Sequence, residues 1–422
     1  MSSGLLLVTV VVYFAVLLAI AWWTSRGAGE HAFYSGERKS LWWVVAFGMV
    51  GTSLSGITFI SVPGDVAKSH WTYLQVVFGY VIGYGVIAWV LLPLYYRMQL
   101  TSIYGYLRDR FGDTSYKTGS VLFLISRLLG ATLRIYVVLF VIHRFLLEST
   151  GIPFWLTSAV VLVMIYLYTL QGGVKTIVWT DTLQTTFMLG ALMGTIVFIL
   201  SDETVESPLK QLGDSGMTQV FSFDWKSNQF FLKQILSGIF ITIAMTGLDQ
   251  EMMQKNLSVR TLKEAQKNVL VFSIVLFITN VLFLLLGGLL YIKAESLGIT
   301  LPKKGTELFP TLALQHFPGW LGIVFIIGLI SALFPSADGA LTALTASTCI
   351  DLIGIRERNW PEEKQRRVRQ TVHSVIAVLF FVMVLWFYWR DDESIIKTLL
   401  DLAGIRTDHC SVFCIRISRT AS

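Results

Sequence analysis

The chain has 422 residues, of which 54% are hydrophobic and 14% charged, and it carries a formal net charge of +6. A soluble domain carries nearer a quarter charged residues, so this composition excludes an ordinary soluble enzyme, and the mean hydropathy of +0.65 points to a polytopic α-helical membrane protein. The basic balance does not signal nucleic acid, because Lys and Arg in such proteins gather in cytoplasmic loops, and Cys349, Cys410 and Cys414 fit no disulfide framework or zinc spacing.

Apolar blocks of about 20 residues recur along the chain, each enough for a helix to cross a hydrocarbon core of about 30 Å. Ten full spans are predicted, at residues 5–23, 41–62, 72–96, 118–147, 153–171, 178–200, 229–248, 269–292, 319–348 and 370–389, with an eleventh starting near Ser394. The first lacks a basic flank and a small-residue cleavage site, so it reads as a retained span rather than a signal peptide. If the N-terminus is outside, the inner loops hold Arg26, Arg38 and Lys39; Arg97, Arg108, Arg110 and Lys117; Lys175; Lys255, Arg260, Lys263 and Lys267; and Arg356, Arg358, Lys364, Arg366, Arg367 and Arg369. The outer loops hold fewer: Lys68, Arg144, Lys210, Lys226, Lys293, Lys303, Lys304 and Arg390. Lys and Arg bias sets orientation, so the N-terminus is expected outside a plasma membrane.

The second span contains FGMVGTSLSGITFISVPG, with Gly48, Gly51 and Gly56 set among Thr52, Ser53, Ser55 and Thr58. Small residues and hydroxyls let helices pack closely, and they also occur where a helix is interrupted. The ninth span contains GLISALFPSADGALTALTAST, where Pro335 removes the bond to the Ser331 carbonyl and Ser336 adds a hydroxyl. Freed carbonyls and hydroxyls at membrane depth need a cavity or protein to bury them, and they are the hard oxygen ligands a small cation takes. Two interrupted segments, spans two and nine, are therefore expected to face each other across a cation.

Asp181 stands at the entry to the sixth span and Asp338 inside the ninth. A buried carboxylate has to be paired or hold an ion; the alternatives are a solvated Asp181 near a helix start and a structural hydrogen bond for Asp338. Arg127 and Arg134, seven residues apart, share one helical face. They either snorkel, pair with a carboxylate or meet an anionic substrate. The six histidines are scattered and no nucleophile–base pair stands at membrane depth, so an enzyme is not expected.

Four motifs occur in order: LPLYYRMQLTSIYGYLRDRFG, GGVKTIVWTDTLQ, GLDQEMMQKNLSVRTLKEAQKN and GLISALFPSADGALTALTASTCIDLI. On these the chain resembles the sodium/solute symporter family, which includes the sodium/proline, sodium/glucose and sodium/sialic acid carriers, over residues 1 to about 404. The resemblance implies an all-α polytopic fold of LeuT type. Two inverted five-helix repeats, spans two to six and seven to eleven, follow one extra helix. It implies sodium as coupling ion, with no other cofactor, and symport of a small polar or anionic solute by alternating access. The main sodium site it implies takes carbonyls of Gly51, Leu54 and Ala332 and a hydroxyl pair at Pro335 and Ser336. Proline has no hydroxyl, so this chain departs from the pattern: the site has one ligand fewer, or a freed carbonyl or a water replaces it. A second cation, or a proton, maps to Asp181 and Asp338, and substrate to Ser53, Ser55, Gly56 and Thr58, with Trp71, Gln75, Arg127 and Arg134 as further contacts.

After Gly404 the chain reads IRTDHCSVFCIRISRTAS instead of a continuing apolar span. The expected division is one transmembrane domain at 1–404 and an aberrant tail at 405–422, as a one-nucleotide deletion in the gene would produce, leaving the second repeat incomplete. The alternative function is a transport-inactive remnant or a sensor-like solute-binding module.

Overall fold

A computed structural model describes residues 3–25, 33, 39–100, 102–148, 151–355, 357–358 and 360–390. The expected eleventh span and the 405–422 tail lie outside these residues. Twelve helices, several of them bent or broken, carry the bundle: α1 (Ser3–Ser25), α2 (Trp42–Ser53), α3 (Gly56–Gly64), α4 (Tyr73–Arg97), α5 (Asp113–Ile142), α6 (Phe154–Leu170), α7 (Thr176–Leu200), α8 (Phe231–Gly247), α9 (Gln250–Leu257), α10 (Leu262–Ser296), α11 (Gly319–Leu352) and α12 (Glu362–Arg390). Six are long and apolar enough to cross a membrane alone, two bent pairs cross together, and α1 and α6 supply shorter apolar segments. The ten predicted spans all have a counterpart among the described residues.

Local chemistry explains the interruptions. Leu54 and Ser55 adopt extended backbone between α2 and α3, and the Ser55 side chain accepts the Thr58 N–H to cap α3; the two halves meet at 61°. A hydroxyl cap satisfies one of the four N–H groups that a helix start leaves free. Asp249 does the same for α9, accepting from the Met252 N–H at 3.0 Å, and α8 and α9 meet at 67°. Gly173, at φ 50, turns the chain between α6 and α7, where a Cβ would run into Phe33.

One expectation is corrected here. The ninth span is not interrupted: α11 runs through Pro335, and every residue from Gly328 to Ser347 is buried. A proline inside a helix removes one backbone bond and crowds the preceding turn, yet here the helix continues: Ser336 Oγ donates to the Leu333 carbonyl at 2.8 Å, and Tyr13 on α1 braces Ser331 at 2.8 Å. The second broken span is the seventh.

The chain from Phe154 to Leu200 packs along α11, and α4 packs along α8. At the latter crossing the backbones touch: a Cβ on Gly79 would lie 2.1 Å from the Ile235 carbonyl oxygen, and one on Gly238 2.1 Å from that of Val76. The long segment between α7 and α8 is tied down by Lys293, whose Nζ donates to Asp202 Oδ2 at 2.6 Å and Thr204 Oγ1 at 2.5 Å.

Gly238→Ala should force α4 and α8 apart and cost about 1–3 kcal/mol. Gly130→Ala, with nothing within 4 Å of the new Cβ, should be neutral or stabilising by up to about 1 kcal/mol. Thermal unfolding of purified protein in detergent checks both. The Lys293 ammonium, with help from Thr204, holds the Asp202 carboxyl down at about 2 against an ordinary 3.8. A depressed carboxylate contributes stability above its unfolded value and loses it on protonation. The stability gap between wild type and Asp202→Asn should therefore be full at neutral pH and close as pH falls from 3.8 towards about 2.

Candidate functional site

Both breaks open onto one internal cavity of about 170 Å³. Thr52, Ser53, Leu54, Ser55 and Thr58 line it from the first break, and Thr242, Met245, Thr246 and Met252 from the second. Tyr73, Tyr80 and Tyr84 of α4, Arg127 and Arg134 of α5, and Asn280 of α10 complete the wall. After Val50, whose carbonyl accepts the Leu54 N–H, the last carbonyls of α2 are past the end of the helical ladder, and the first N–H groups of α3, ahead of the capped Thr58, likewise lack helical partners. The cavity therefore offers oxygen to a cation and positive dipole ends to an anion. A second chamber of about 290 Å³ shares Ser55, Thr58 and Tyr73 with it and reaches Asp65, Lys68, Thr72 and Gln234, at the end of the bundle where α3 stops and α8 starts.

The opposite end is closed. All eight residues of α9 are buried, and the helix is pinned on every side. Tyr96 Oη donates to the Asn256 and Val259 carbonyls at 3.1 and 2.8 Å, and Gln250 Oε1 accepts the Ile103 N–H at 2.9 Å. Arg127 pairs with Glu251 and stands 3.6 Å from Asp249. Lys255 Nζ donates to Asp181 Oδ2 and to Thr52 Oγ1, both at 2.6 Å. Nearby, Asp351 accepts from Ser102 (2.9 Å), Tyr116 (2.8 Å) and Ser347 (2.6 Å), holding the chain after α4, the start of α5 and the end of α11 together.

Of the residues singled out for the main sodium position, Gly51 and Pro335 are brought together. A Cβ on Gly51 would stand 3.3 Å from Pro335 Cγ, and one on Gly56 3.7 Å from the Leu333 nitrogen, so the α2–α3 break lies against α11 at Leu333–Pro335. Leu54 lines the cavity, and Ala332 and Ser336 are buried on α11. Thr185 of α7 joins them, its Oγ1 accepting the Gly51 N–H at 3.1 Å. The oxygen set, carbonyls at the end of α2 plus the Ser336 and Thr185 hydroxyls, is chemically suited to a small hard cation. Among the described residues no group of three His, Cys, Asp or Glu could hold a transition metal.

Other expected residues fare differently. Asp181 is fully buried rather than solvated, because Lys255 and Thr52 cover it. Asp338 is fully buried too and accepts the Tyr168 hydroxyl at 2.6 Å. Ser53, Ser55, Thr58, Arg127 and Arg134 line the cavity; Gly56 instead packs on Val138, with Leu333 beyond it. Gln75 lies outside the cavity wall, consumed by the Thr72 and Gln229 carbonyls and the Ser222 N–H. Trp71 packs against the buried cluster of Val205, Leu212 and Ile292 beneath the α7–α8 segment. Lys255, read from the sequence as a solvated loop charge, is 4% exposed in the centre of the closed end. Its spacing of four from Glu251 on a short polar helix is the signal that could have placed it inside.

The family model for the sodium:solute symporter family matches residues 33–413. The chain belongs to that family. The symporter is 19% identical to the sodium/sialic acid symporter SiaT of Proteus mirabilis over 93% of this chain and 79% of the relative. Its fold is similar to the substrate-bound outward-open state of a Na+-coupled sialic acid symporter, with a TM-score of 0.84, 18% identity, and coverage of 94% of this chain and 85% of that one. It is also similar to MhsT in complex with L-phenylalanine, with a TM-score of 0.56, 16% identity, and 83% and 81% coverage. The architecture is thus an all-α, multi-pass plasma-membrane fold related to LeuT-like transporters. The symporter is a transporter rather than an enzyme, and its function is sodium-coupled secondary transport of a small organic solute.

Glu251 is buried and Arg127 reaches it from the cavity wall, so Arg127→Met alone should cost about 3–5 kcal/mol by stranding the buried glutamate. Adding Glu251→Gln should recover most of that loss. A double-mutant cycle read by thermal unfolding measures the coupling.

Proposed function

We propose that the solute is an organic anion, that one sodium ion binds between the α2–α3 break and α11, and that the N-terminus faces outward. Arg134 carries the first point. It lines the cavity and has no carboxylate partner among the described residues, whereas Arg127 beside it is neutralised by Glu251 and Asp249. An uncompensated guanidinium at membrane depth calls for an anion, and a planar carboxylate fits its fork. Similarity to sialic acid symporters makes that sugar acid the first solute to try.

For sodium, Gly51, Leu54, Ala332 and Ser336 are the proposed ligand positions, with the Thr185 hydroxyl standing in for the one Pro335 lacks. A cation there draws the end of α2 onto α11 and orders Ser53 and Ser55 at the cavity. Linkage then requires ion and solute to raise each other's affinity by the same factor.

Two inverted five-helix repeats after α1 are the proposed architecture. The reading is supported by the matching positions of the two bent pairs, each the first span of its half. With the N-terminus outside, as Lys and Arg bias favours, the chamber at Asp65 and Lys68 faces outward and the α9 end is the closed inner gate. Inward release then requires the α9 contacts to part.

Proteoliposome uptake driven by a sodium gradient tests this reading with sialic acid and its uncharged methyl ester. The acid should be taken up and the ester refused. Arg134→Gln should raise the half-saturating acid concentration about tenfold to a hundredfold, the worth of a charge-assisted hydrogen bond. Ser336→Ala should raise the sodium requirement. Equal uptake of acid and ester, unaffected by Arg134→Gln, would remove the anion reading.

A further inference from the structure

We infer that residues 221–231, the stretch leading into α8, form a lipid anchor that seats Phe223 and Trp225 in the headgroup layer of the membrane. Its partner there is a phospholipid, with hydrocarbon against the rings and phosphate against Lys226 and Lys233.

The anchor continues a surface that already faces lipid. Leu232, Leu236 and Phe240 recur every fourth residue on α8, so they share one side of the helix, and all three are exposed. The side that carries Gly238 is pressed onto α4 instead. An apolar side left open on a membrane span meets acyl chains, which are as apolar as leucine. Directly ahead of that side stand Phe223 and Trp225, 73% and 71% exposed, with Phe221 beside them. Open aromatic rings grouped in this way mark an interaction surface. At the end of a span, a Trp sits at headgroup level, where its ring is in apolar contact and its N–H in the polar layer.

The loop is folded so that these rings point away from the bundle. The Phe231 N–H donates to the Ser222 carbonyl at 2.9 Å and closes it. Within it, Asp224 Oδ1 accepts the Lys226 N–H at 3.0 Å. Phe221 stacks on Phe78 of α4 with ring centroids 5.9 Å apart, and Phe223 leans on Phe231 at 5.5 Å. Lys233, in the first turn of α8, donates to the Trp225 and Ser227 carbonyls at 2.8 and 3.3 Å and stands 6.0 Å from the centroid of the Trp225 ring. An ammonium has three N–H donors, so Lys233 keeps one for a phosphate oxygen. Lys226 is exposed next to Trp225. Basic side chains at a bilayer edge lay their stems along apolar surface and hold their charge at the lipid phosphates.

The same loop walls the chamber of about 290 Å³. Gln229 and Gln234 line it together with Asp65 and Lys68. Gln234 Nε2 donates to the Asn228 carbonyl at 2.7 Å, while Gln75 of α4 donates to the Gln229 carbonyl at 3.2 Å and accepts the Ser222 N–H at 3.4 Å. Rings held in lipid thus fix the depth of this wall, and the bilayer becomes a support of the chamber that α3 borders from elsewhere in the bundle.

The test uses the full chain in nanodiscs of phosphatidylcholine, with phosphatidylglycerol added in steps. Spin labels go on Phe223→Cys and Trp225→Cys, with Cys349, Cys410 and Cys414 changed to Ser. Leu236→Cys serves as the hydrocarbon reference and Lys210→Cys, on an exposed loop residue, as the water reference. Oxygen, which concentrates in hydrocarbon, should relax the labels at 223 and 225 more than a water-soluble nickel chelate does, placing them between the two references. A second measurement leaves the rings in place. Lipids brominated at a shallow chain position should quench tryptophan emission more in wild type than in Trp225→Phe, and bromine at the chain end should remove that difference. The difference should grow with phosphatidylglycerol, and Lys226→Gln/Lys233→Gln should abolish the growth. Labels at 223 and 225 as open to nickel as that at 210 would put the loop in water and overturn the inference. Labels shielded from both reagents would mean that protein covers the rings, a second copy or another segment of the chain, and overturn it equally. Equal quenching in wild type and Trp225→Phe by the shallow bromines would do the same, and growth unchanged in the lysine variant would remove the phosphate contact.

Discussion

The ion pair between Lys255 on α9 and Asp181 on α7, closed by the Thr52 hydroxyl at the end of α2, joins both broken spans to the continuous part of the bundle. Charge at this depth is costly unless paired, and removing one member leaves the other stranded. The pair therefore constrains where α9 can lie, and α9 in turn closes one end of the cavity. Arg127 with Glu251 repeats the device one turn away on the same short helix. A helix of eight residues has little stability of its own; these pairs, with the Tyr96 and Gln250 bonds, hold it.

The same constraint explains the breaks. Interrupting a helix exposes carbonyls and N–H groups that a bilayer cannot satisfy. Each interruption here is capped by a side chain, Ser55 for α3 and Asp249 for α9, and is turned inward onto a cavity. What looks like a structural cost supplies the groups the proposed reading uses: oxygen at the end of α2 for an ion, dipole ends and Arg134 for a solute. In that reading the two sites share the residues from Gly51 to Thr58, so occupying one would change the order of the other.

Helix α11 is the fixed surface against which this happens. It is buried from Gly328 to Ser347 and lies against the α2–α3 break at Pro335 and Leu333. Proline in that position softens one turn without breaking the helix. Support from Ser336 within the helix and from Tyr13 on α1 keeps the wall in place.

The ten apolar segments that overlap described helices were legible in the sequence, because apolar length is a local property that a bilayer reads segment by segment. So was the break at GTSLSG, where glycine and hydroxyl density makes a helix dispensable, and the order of motifs that marks the family. Pro335 misled, since a proline's local cost does not reveal whether neighbours will hold the helix straight. Lys255 misled in the other direction. Its short polar segment looks like a loop until Asp181, 74 residues away, and Thr52, 203 residues away, are brought to it. Pairing between charges so distant in the chain is decided only when the helices pack, because no local rule distinguishes a lysine that water solvates from one that a buried carboxylate claims.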